Sequence, residues 1–156
     1  YEEIMRDISA KKFSPIYFLY GTEPYFIDSV ASEIERTALE EDMKVWNQII
    51  VYGKDVLPDQ IVIEAGQYPT MGDRRVVIVR EAQDMDSKPK GDVEALIPYC
   101  DAKLMQPSTI LVVCVKLPED KGNHKTLYSK TAKFATAVQK AGGVTLETKR
   151  LYGMDK

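Results

Sequence analysis

The stretch LYGTEPYFIDS, residues 19–29, leaves an apolar run through one glycine and enters a helical pattern. Many α/β proteins hold a phosphate at such a turn, and the P-loop motif G-x-x-x-x-G-K-[ST] does so with backbone N–H groups, a lysine and a hydroxyl. Counted from Gly21, the last three motif positions carry Phe26, Ile27 and Asp28. The ring would fill the phosphate cradle, and the carboxylate would repel a phosphate charge by about 4 kcal/mol at ~4 Å and an effective dielectric of about 20. We predict a degenerate P-loop that does not bind nucleotide.

Other nucleotide and acid–base chemistry has weaker support. The dinucleotide fingerprint G-x-G-x-x-G fails because Glu23 and Phe26 occupy its second and third glycine positions. Glu81 follows an apolar run as a Walker B acid would, but Arg80 precedes it. Glu23 and Asp28 offer a general acid–base pair in a cleft above the sheet, although solvated carboxylates near a helix start are the simpler interpretation.

The histidine and cysteine residues give no catalytic or metal-binding pattern. His124 is the single histidine and lies in a predicted turn, EDKGNHK, so neither a triad nor a His-rich metal site is supported. Cys100 and Cys114 lack CxxC spacing and lie in apolar surroundings, which predicts two buried free thiols in a reducing, cytoplasmic compartment. We predict no intrinsic catalysis, no metal and no cofactor.

Composition and charge indicate a globular chain. Its 156 residues are 44% hydrophobic and 29% charged, which suits about one domain with a real core. No apolar run approaches the ~20 residues of a membrane-spanning helix. From Lys116 onward, nine Lys/Arg against four Asp/Glu give +5, which leaves −8 for residues 1–115. The basic third is most simply a solvated helix face, with DNA contact through Lys125, Lys130 and Lys133 as a weaker hypothesis.

Strand and helix patterns alternate five times, which predicts a mostly parallel sheet with helices on both faces. Several strands are continuously apolar, as expected when both faces of a sheet are covered. We expect Thr22 to cap the second helix, because a hydroxyl there can accept from the first-turn amides. The predicted strands are 15–20, 45–52, 74–79, 108–115 and 143–148, and the predicted helices are 2–9, 26–41, 58–67, 91–100 and 126–140.

The connection AGQYPTMGDRR, residues 65–75, carries an apolar group where a surface loop is expected. Tyr68, Pro69 and Met71 either form a knob for another protein's pocket or fold back onto the edge of the sheet, and the sequence favours neither. The arginines that follow, Arg74 and Arg75, most simply pair with acids such as Asp73 and Glu64, or protect the start of the strand.

Three stretches together resemble a known family. PIYFLYGTEPYFID, QYPTMGDRRVVIVREAQDM and STILVVCVK resemble, in this order, the delta subunit of the bacterial DNA polymerase III clamp loader. The resemblance implies a RecA-like, AAA+-type three-layer α/β fold that has lost nucleotide binding. It also implies a non-catalytic subunit of a DNA-directed DNA polymerase (nucleotidyltransferase) holoenzyme that opens the sliding clamp for loading onto primed DNA.

The resemblance also implies a contact site and a domain boundary. In this family two adjacent apolar residues at the end of the short helix enter a pocket of the clamp, the beta subunit, and the matching positions are Thr70 and Met71, flanked by Tyr68 and Pro69. Thr70 is less hydrophobic than the pattern, so Met71 would carry more of the contact. Residues 1–148 would form the clamp-binding domain and 149–156 the start of a helical linker, with further domains contacting the other loader subunits. A P-loop enzyme and a small-molecule-binding α/β module are the alternatives.

Overall fold

The strands form one parallel sheet in the computed structural model, which describes residues 1–150. The strands are β1 (Ile16–Gly21), β2 (Gln48–Tyr52), β3 (Arg75–Arg80), β4 (Thr109–Lys116) and β5 (Val144–Thr148). Their order across the sheet is β2-β3-β4-β1-β5, and every neighbouring pair is parallel. The predicted five-stranded α/β fold is therefore confirmed. All strands point the same way. The segments that precede the strands therefore lie at one edge of the sheet, where the strands begin, and the segments that follow them lie at the opposite edge, where the strands end.

Helical segments cover both faces of this sheet. One face packs α4 (Pro58–Ala65), α5 (Lys125–Lys140) and a 3-10 helix (Val93–Cys100) on residues such as Phe18 and Val77. The other packs α1 (Glu2–Ser9) and α2 (Pro24–Thr37) on Tyr17, Leu19 and Val76. Successive β1 side chains thus enter different cores, which explains why the strand is continuously apolar. The remaining helical segments are α3 (Glu41–Asn47) and three short 3-10 turns, Gly53–Asp55, Ala82–Asp84 and Lys121–Asn123.

The structure corrects the predicted second helix and second strand. The helix ends at Thr37, and a separate helix, α3, occupies part of the segment predicted as strand 45–52. Val45 and Trp46 are therefore 81% and 52% exposed on α3, and the strand begins only at Gln48. The apolar run was misleading because its first two members do not face the core.

Two further predictions about the helices were also wrong. Glu23, not Thr22, caps α2, with its carboxylate accepting from the Tyr25 amide at 3.3 Å. The segment predicted as helix 91–100 is a 3-10 helix, in which Val93, Leu96 and Tyr99 are buried. Their spacing of three residues matches the three residues per turn of a 3-10 helix.

The other strand and helix boundaries agree with prediction to within about two residues. The predicted linker start, 149–156, lies outside the described residues except for its first two positions. None of the helices in residues 1–150 combines the length and the apolar character that crossing a membrane requires.

Candidate functional site

The corner after β1 is shaped by close packing on β5. Gly21 has φ +139°, and a Cβ at this position would lie 1.9 Å from the Thr148 carbonyl oxygen. A side chain cannot be accommodated there, and an L-residue does not adopt this φ without strain. The single glycine of the P-loop-like sequence is therefore explained by strand packing, without reference to a phosphate.

Backbone N–H groups of the corner donate to the protein itself. The Thr22 amide donates to the Thr148 carbonyl at 2.9 Å, and the Glu23 amide donates to the Thr148 hydroxyl oxygen at 3.3 Å. Pro24 has no N–H, and the Tyr25 amide donates to the Glu23 carboxylate. In a P-loop such amides surround the phosphates. Here the corner amides donate instead to the carbonyl and hydroxyl oxygens of Thr148 and to the Glu23 carboxylate.

The residues that stand where a P-loop has glycine, lysine and serine also contact other parts of the protein. Ile27 is fully buried, and the Phe26 ring meets the Tyr1 ring edge-on at 4.7 Å between centroids. The Asp28 carboxylate accepts from Lys116 Nζ at 3.1 Å and lies 3.6 Å from an Arg80 guanidinium nitrogen. The carboxylate that would have repelled a phosphate is held by the protein's own cations.

The Walker-B-like acid belongs to the same ionic cluster. Glu81 lies 2.6 Å from Lys116 Nζ, and Arg80 lies 3.1 Å from Glu35. Burial acts to raise the pKa of Glu81, but hydrogen bonds from Lys116 and Gln83 outweigh it and hold that pKa below its ordinary value. Burial likewise acts to lower the pKa of Lys116, and the two carboxylates more than offset this effect and raise it.

The acid–base pair suggested by the sequence is not assembled as a free pair. Glu23 caps α2 and lies 3.8 Å from Arg150, whereas Asp28 is bound by Lys116 and Arg80. Each of the two carboxylates therefore has its own partners.

The connection between α4 and β3 exposes the apolar group. Tyr68 and Met71 are 77% and 73% exposed, Thr70 is exposed and Pro69 is half-buried. Of the two arrangements that the sequence left open, the structure has the knob at the surface. Large apolar side chains displayed together in a loop are typical of protein-binding surfaces.

A buried asparagine fixes this loop. Asn47, at the end of α3, is fully buried; its Nδ2 donates to the Thr70 carbonyl at 2.7 Å, and its Oδ1 accepts from the Thr70 amide at 2.6 Å. Met71 follows with φ +58°, a left-handed conformation that is uncommon for a non-glycine residue. Sequence reasoning missed Asn47, because the residue lies 23 positions from Thr70 and was predicted to be in a strand.

The two ends of the same loop are joined by an ion pair. The Arg75 guanidinium pairs with the Glu64 carboxylate and also donates to the Glu64 carbonyl at 3.0 Å. This confirms the predicted Arg75–Glu64 pair. Arg74 differs from its prediction, because it lies over the Phe13 ring at 5.0 Å from the centroid. The Arg75–Glu64 pair thus joins the two chain segments that flank residues 68–73, and Asn47 holds the middle of this loop at Thr70.

The other candidate residues are accounted for locally. His124 is exposed and its Nδ1 lies 2.8 Å from the Asp120 carbonyl oxygen. Cys100 and Cys114 are free; Cys114 is buried as predicted, whereas Cys100 is only half-buried. Burial raises the pKa of these thiols to about 11 and about 12. Within residues 1–150, no three His, Cys, Asp or Glu side chains are grouped so as to hold a metal ion.

Two of the lysines proposed for DNA contact face acidic side chains. Lys130 lies 2.7 Å from Glu94 and 3.4 Å from Asp92, and Lys133 lies 3.2 Å from Glu94. These ion pairs connect α5 to the 3-10 helix beside it. The predicted solvated helix face holds for Lys133, whose side chain is 60% exposed, but not for Lys130, which is only 19% exposed beside Asp92 and Glu94.

The parallel five-stranded sheet with helices on both faces defines an AAA+-like domain. A gamma subunit-related DNA polymerase III protein from Thermotoga maritima has the same fold, with a TM-score of 0.53 at 13% identity over 97% of this chain and 46% of its own. The family profile described as "DNA polymerase III, delta subunit" matches residues 17–141. The chain therefore belongs to the DNA polymerase III delta subunit family.

A curated sequence and a solved structure, both from Bacillus subtilis, agree with this assignment. The DNA polymerase III subunit delta of strain 168 is 24% identical over 132 residues, which is 84% of this chain and 38% of the relative. The structure of the B. subtilis DNA clamp loader delta protein matches with a TM-score of 0.70 and 26% identity over 96% of this chain and 42% of its own. This chain thus spans about two-fifths of the length of these relatives.

Proposed function

We propose that this chain is the clamp-binding domain of a clamp-loader delta subunit and grips the sliding clamp, the beta subunit, with Tyr68–Met71. The observation that carries the proposal is a rigidly held loop whose apolar side chains face solvent. Family membership supports the partner, since the B. subtilis structural match is a DNA clamp loader protein. The role is in DNA replication, and no reaction of its own is assigned to the domain.

The loop suits this role because its shape is set before binding. Burial of an apolar side chain such as Met71 or Tyr68 contributes roughly 1.5–3 kcal/mol. A loop fixed by Asn47 and by the Arg75–Glu64 pair loses little further backbone freedom on binding, so less of that gain is offset. The domain promotes clamp opening by binding a distorted clamp conformation more tightly than the closed one, which shifts the population.

The domain performs this role without ATP. The corner amides donate to Thr148 and Glu23, and Asp28 is paired with Lys116, so a phosphate would have to displace several internal hydrogen bonds. Catalysis belongs to the polymerase holoenzyme in which the full-length subunit works. Contacts with the other loader subunits and with primed DNA are assigned to the assembled complex in the cytoplasm.

The first test is the affinity of the Met71→Ala variant for the cognate sliding clamp, measured by surface plasmon resonance. We expect an affinity loss of about tenfold or more, as for other buried apolar anchors. Tyr25→Ala is the matched control, because Tyr25 is 64% exposed but lies after β1, at the other edge of the sheet. An affinity of Met71→Ala within twofold of the unmodified domain would contradict this assignment of the anchor.

A second test addresses the rival P-loop enzyme. The melting temperature is recorded with increasing ATP and Mg²⁺, since a ligand that binds only the folded state raises it in a concentration-dependent way. We expect no shift up to millimolar ATP. Saturable stabilisation at micromolar ATP would favour the enzyme over the clamp-binding domain.

A further inference from the structure

Trp46 is the chain's single tryptophan, and it is 52% exposed on α3. Half-exposed tryptophan is uncommon on a surface without a partner, and tryptophan is enriched among the residues that dominate binding energy at protein interfaces. Nothing in the corner after β1 involves this side chain.

The helix that carries Trp46, α3, meets the loop of residues 68–73 through Asn47 and Met43. Asn47, the next residue, bonds the Thr70 backbone, and a Cβ added to Gly72 would lie 3.2 Å from Met43 Sδ. Met43 and Asn47 are four residues apart, so they share the helix face that meets the loop. At about 100° per residue, Trp46 borders that face, whereas Val45 lies on the opposite side of the helix.

The surroundings of this surface are acidic. Glu40, Asp42 and Asp73 are exposed around α3 and the loop. Lys44 pairs with Glu41, and Arg75 pairs with Glu64. Arg74 lies over the Phe13 ring and Lys11 donates to the Thr37 carbonyl, and these contacts leave both positive charges in place. Three exposed carboxylates therefore stand against two cations, and this small acidic excess favours a protein surface whose apolar pocket is bordered by Lys and Arg over nucleic-acid phosphates.

We propose that Trp46 is a second anchor on the sliding clamp, so that Trp46, Tyr68 and Met71 form one apolar docking surface with an acidic rim. The inference rests on the proposed function and adds to it a contact outside the loop. Because Asn47 joins α3 to the loop, the anchors approach the partner as one rigid unit. The partner surface then has a second apolar depression near the loop's pocket, lined by basic side chains.

The test measures clamp affinity for Trp46→Ala beside Met71→Ala and the double variant. We expect Trp46→Ala to lose about tenfold or more. Val45→Ala is the matched control, since Val45 is 81% exposed on the same helix but faces away from the loop, and it is expected to stay within twofold. Unfolding of each variant by urea verifies that its stability is retained.

The outcomes separate the two proposals. If Met71→Ala weakens clamp binding and Trp46→Ala does not, the second anchor is overturned while the clamp-binding role stands. If neither variant weakens binding, both proposals fail. If Trp46→Ala alone weakens it, Trp46 is retained as an anchor and the assignment to the loop is lost.

A spectroscopic measurement makes the test independent of affinity. With 5-fluorotryptophan incorporated, the chain's single tryptophan gives one ¹⁹F signal. We expect this signal to shift when the clamp is added, and to remain in place when primed DNA alone is added. A response to DNA and none to the clamp would overturn the proposal.

Discussion

The two edges of the sheet use their side chains in opposite ways. At the carboxyl ends of β1, β3 and β4, Asp28 and Glu81 both bind Lys116, and Thr148 binds the corner amides. Before β3, Tyr68 and Met71 contact little and face solvent. One edge has satisfied its polar groups internally, and the other leaves apolar groups without partners.

This contrast reverses the usual arrangement of open α/β sheets, in which ligands bind beyond the carboxyl ends of the strands. Here the corner after β1 at that edge is filled by Thr148 and an ionic cluster, whereas the proposed binding surface lies at the amino ends. A fold that is built to hold a phosphate can therefore serve as a rigid support for a protein contact at its far end.

The largest expected effect is on stability, from Gly21→Ala. A Cβ would lie 1.9 Å from the Thr148 carbonyl oxygen, so β1 and β5 would have to separate, and we expect a loss of about 3–4 kcal/mol in the free energy of unfolding by urea. Gly142→Ala is the control, because Gly142 also has positive φ (+83°) but no neighbouring atom within 4 Å, and about 1 kcal/mol is expected. Equal losses in the two variants would show that backbone strain alone explains Gly21.

At the opposite edge, Asn47→Ala is expected to lower stability by about 2 kcal/mol, because it leaves the Thr70 amide and carbonyl without their partner. It should also weaken clamp binding by about tenfold, although Asn47 is fully buried and cannot touch the clamp. Urea unfolding and surface plasmon resonance measure the two effects. Asn123→Ala, at an exposed site, is the control. Unchanged affinity in a less stable Asn47→Ala would mean that the loop holds its shape without Asn47.

Smaller effects follow from Lys116→Met, which removes the cation between Asp28 and Glu81. Because the pKa of Glu81 is lowered from 4.5 in the folded state, its contribution is present above pH 4.5 and is lost as pH falls through the folded pKa. Because the pKa of Lys116 is raised from 10.5, its contribution is present below pH 10.5 and is lost as pH rises through the folded pKa.

The variant should therefore lose about 1 kcal/mol near neutral pH and depend less on pH at both extremes, since these side chains are partly exposed and screened. Urea midpoints between pH 3 and pH 11 measure this dependence. Lys103→Met, at an exposed lysine, should keep the original profile. If the urea midpoints of Lys116→Met changed with pH as those of the unmodified protein do, the pH dependence of stability would come from groups other than Asp28, Glu81 and Lys116.

Much of the sheet was predictable from sequence, because burial on both faces leaves a continuous apolar run, as in β3 and β4. The positions that replace the P-loop residues were also readable, since they follow one glycine at fixed spacing. What was missed depends on contacts between distant residues. Thr148 bonds Glu23 across 125 positions, and Asn47 bonds Thr70 across 23, so no local pattern marks either one.

The error at α3 has a specific cause. Val45 and Trp46 precede Gln48 in an unbroken β-rich run, and propensity alone does not distinguish an exposed apolar turn of helix from the start of a strand. The exposure of these two residues is a property of the assembled structure. The choice of Thr70 and Met71 as the anchor pair came from the family resemblance and stays a prediction.

Asn47 bonds the main chain of Thr70 and not its side chain. The residue type at position 70 can therefore vary. The path of the loop is independent of which residue stands at position 70, so a threonine fits where the family pattern has an apolar residue. Position 70 can therefore change its side chain without changing the path of the loop, whereas position 71, at φ +58°, disfavours β-branched residues. Under the proposed function, substitutions at residue 70 would adapt the domain to the clamp of another species while the fold beneath the loop stays the same.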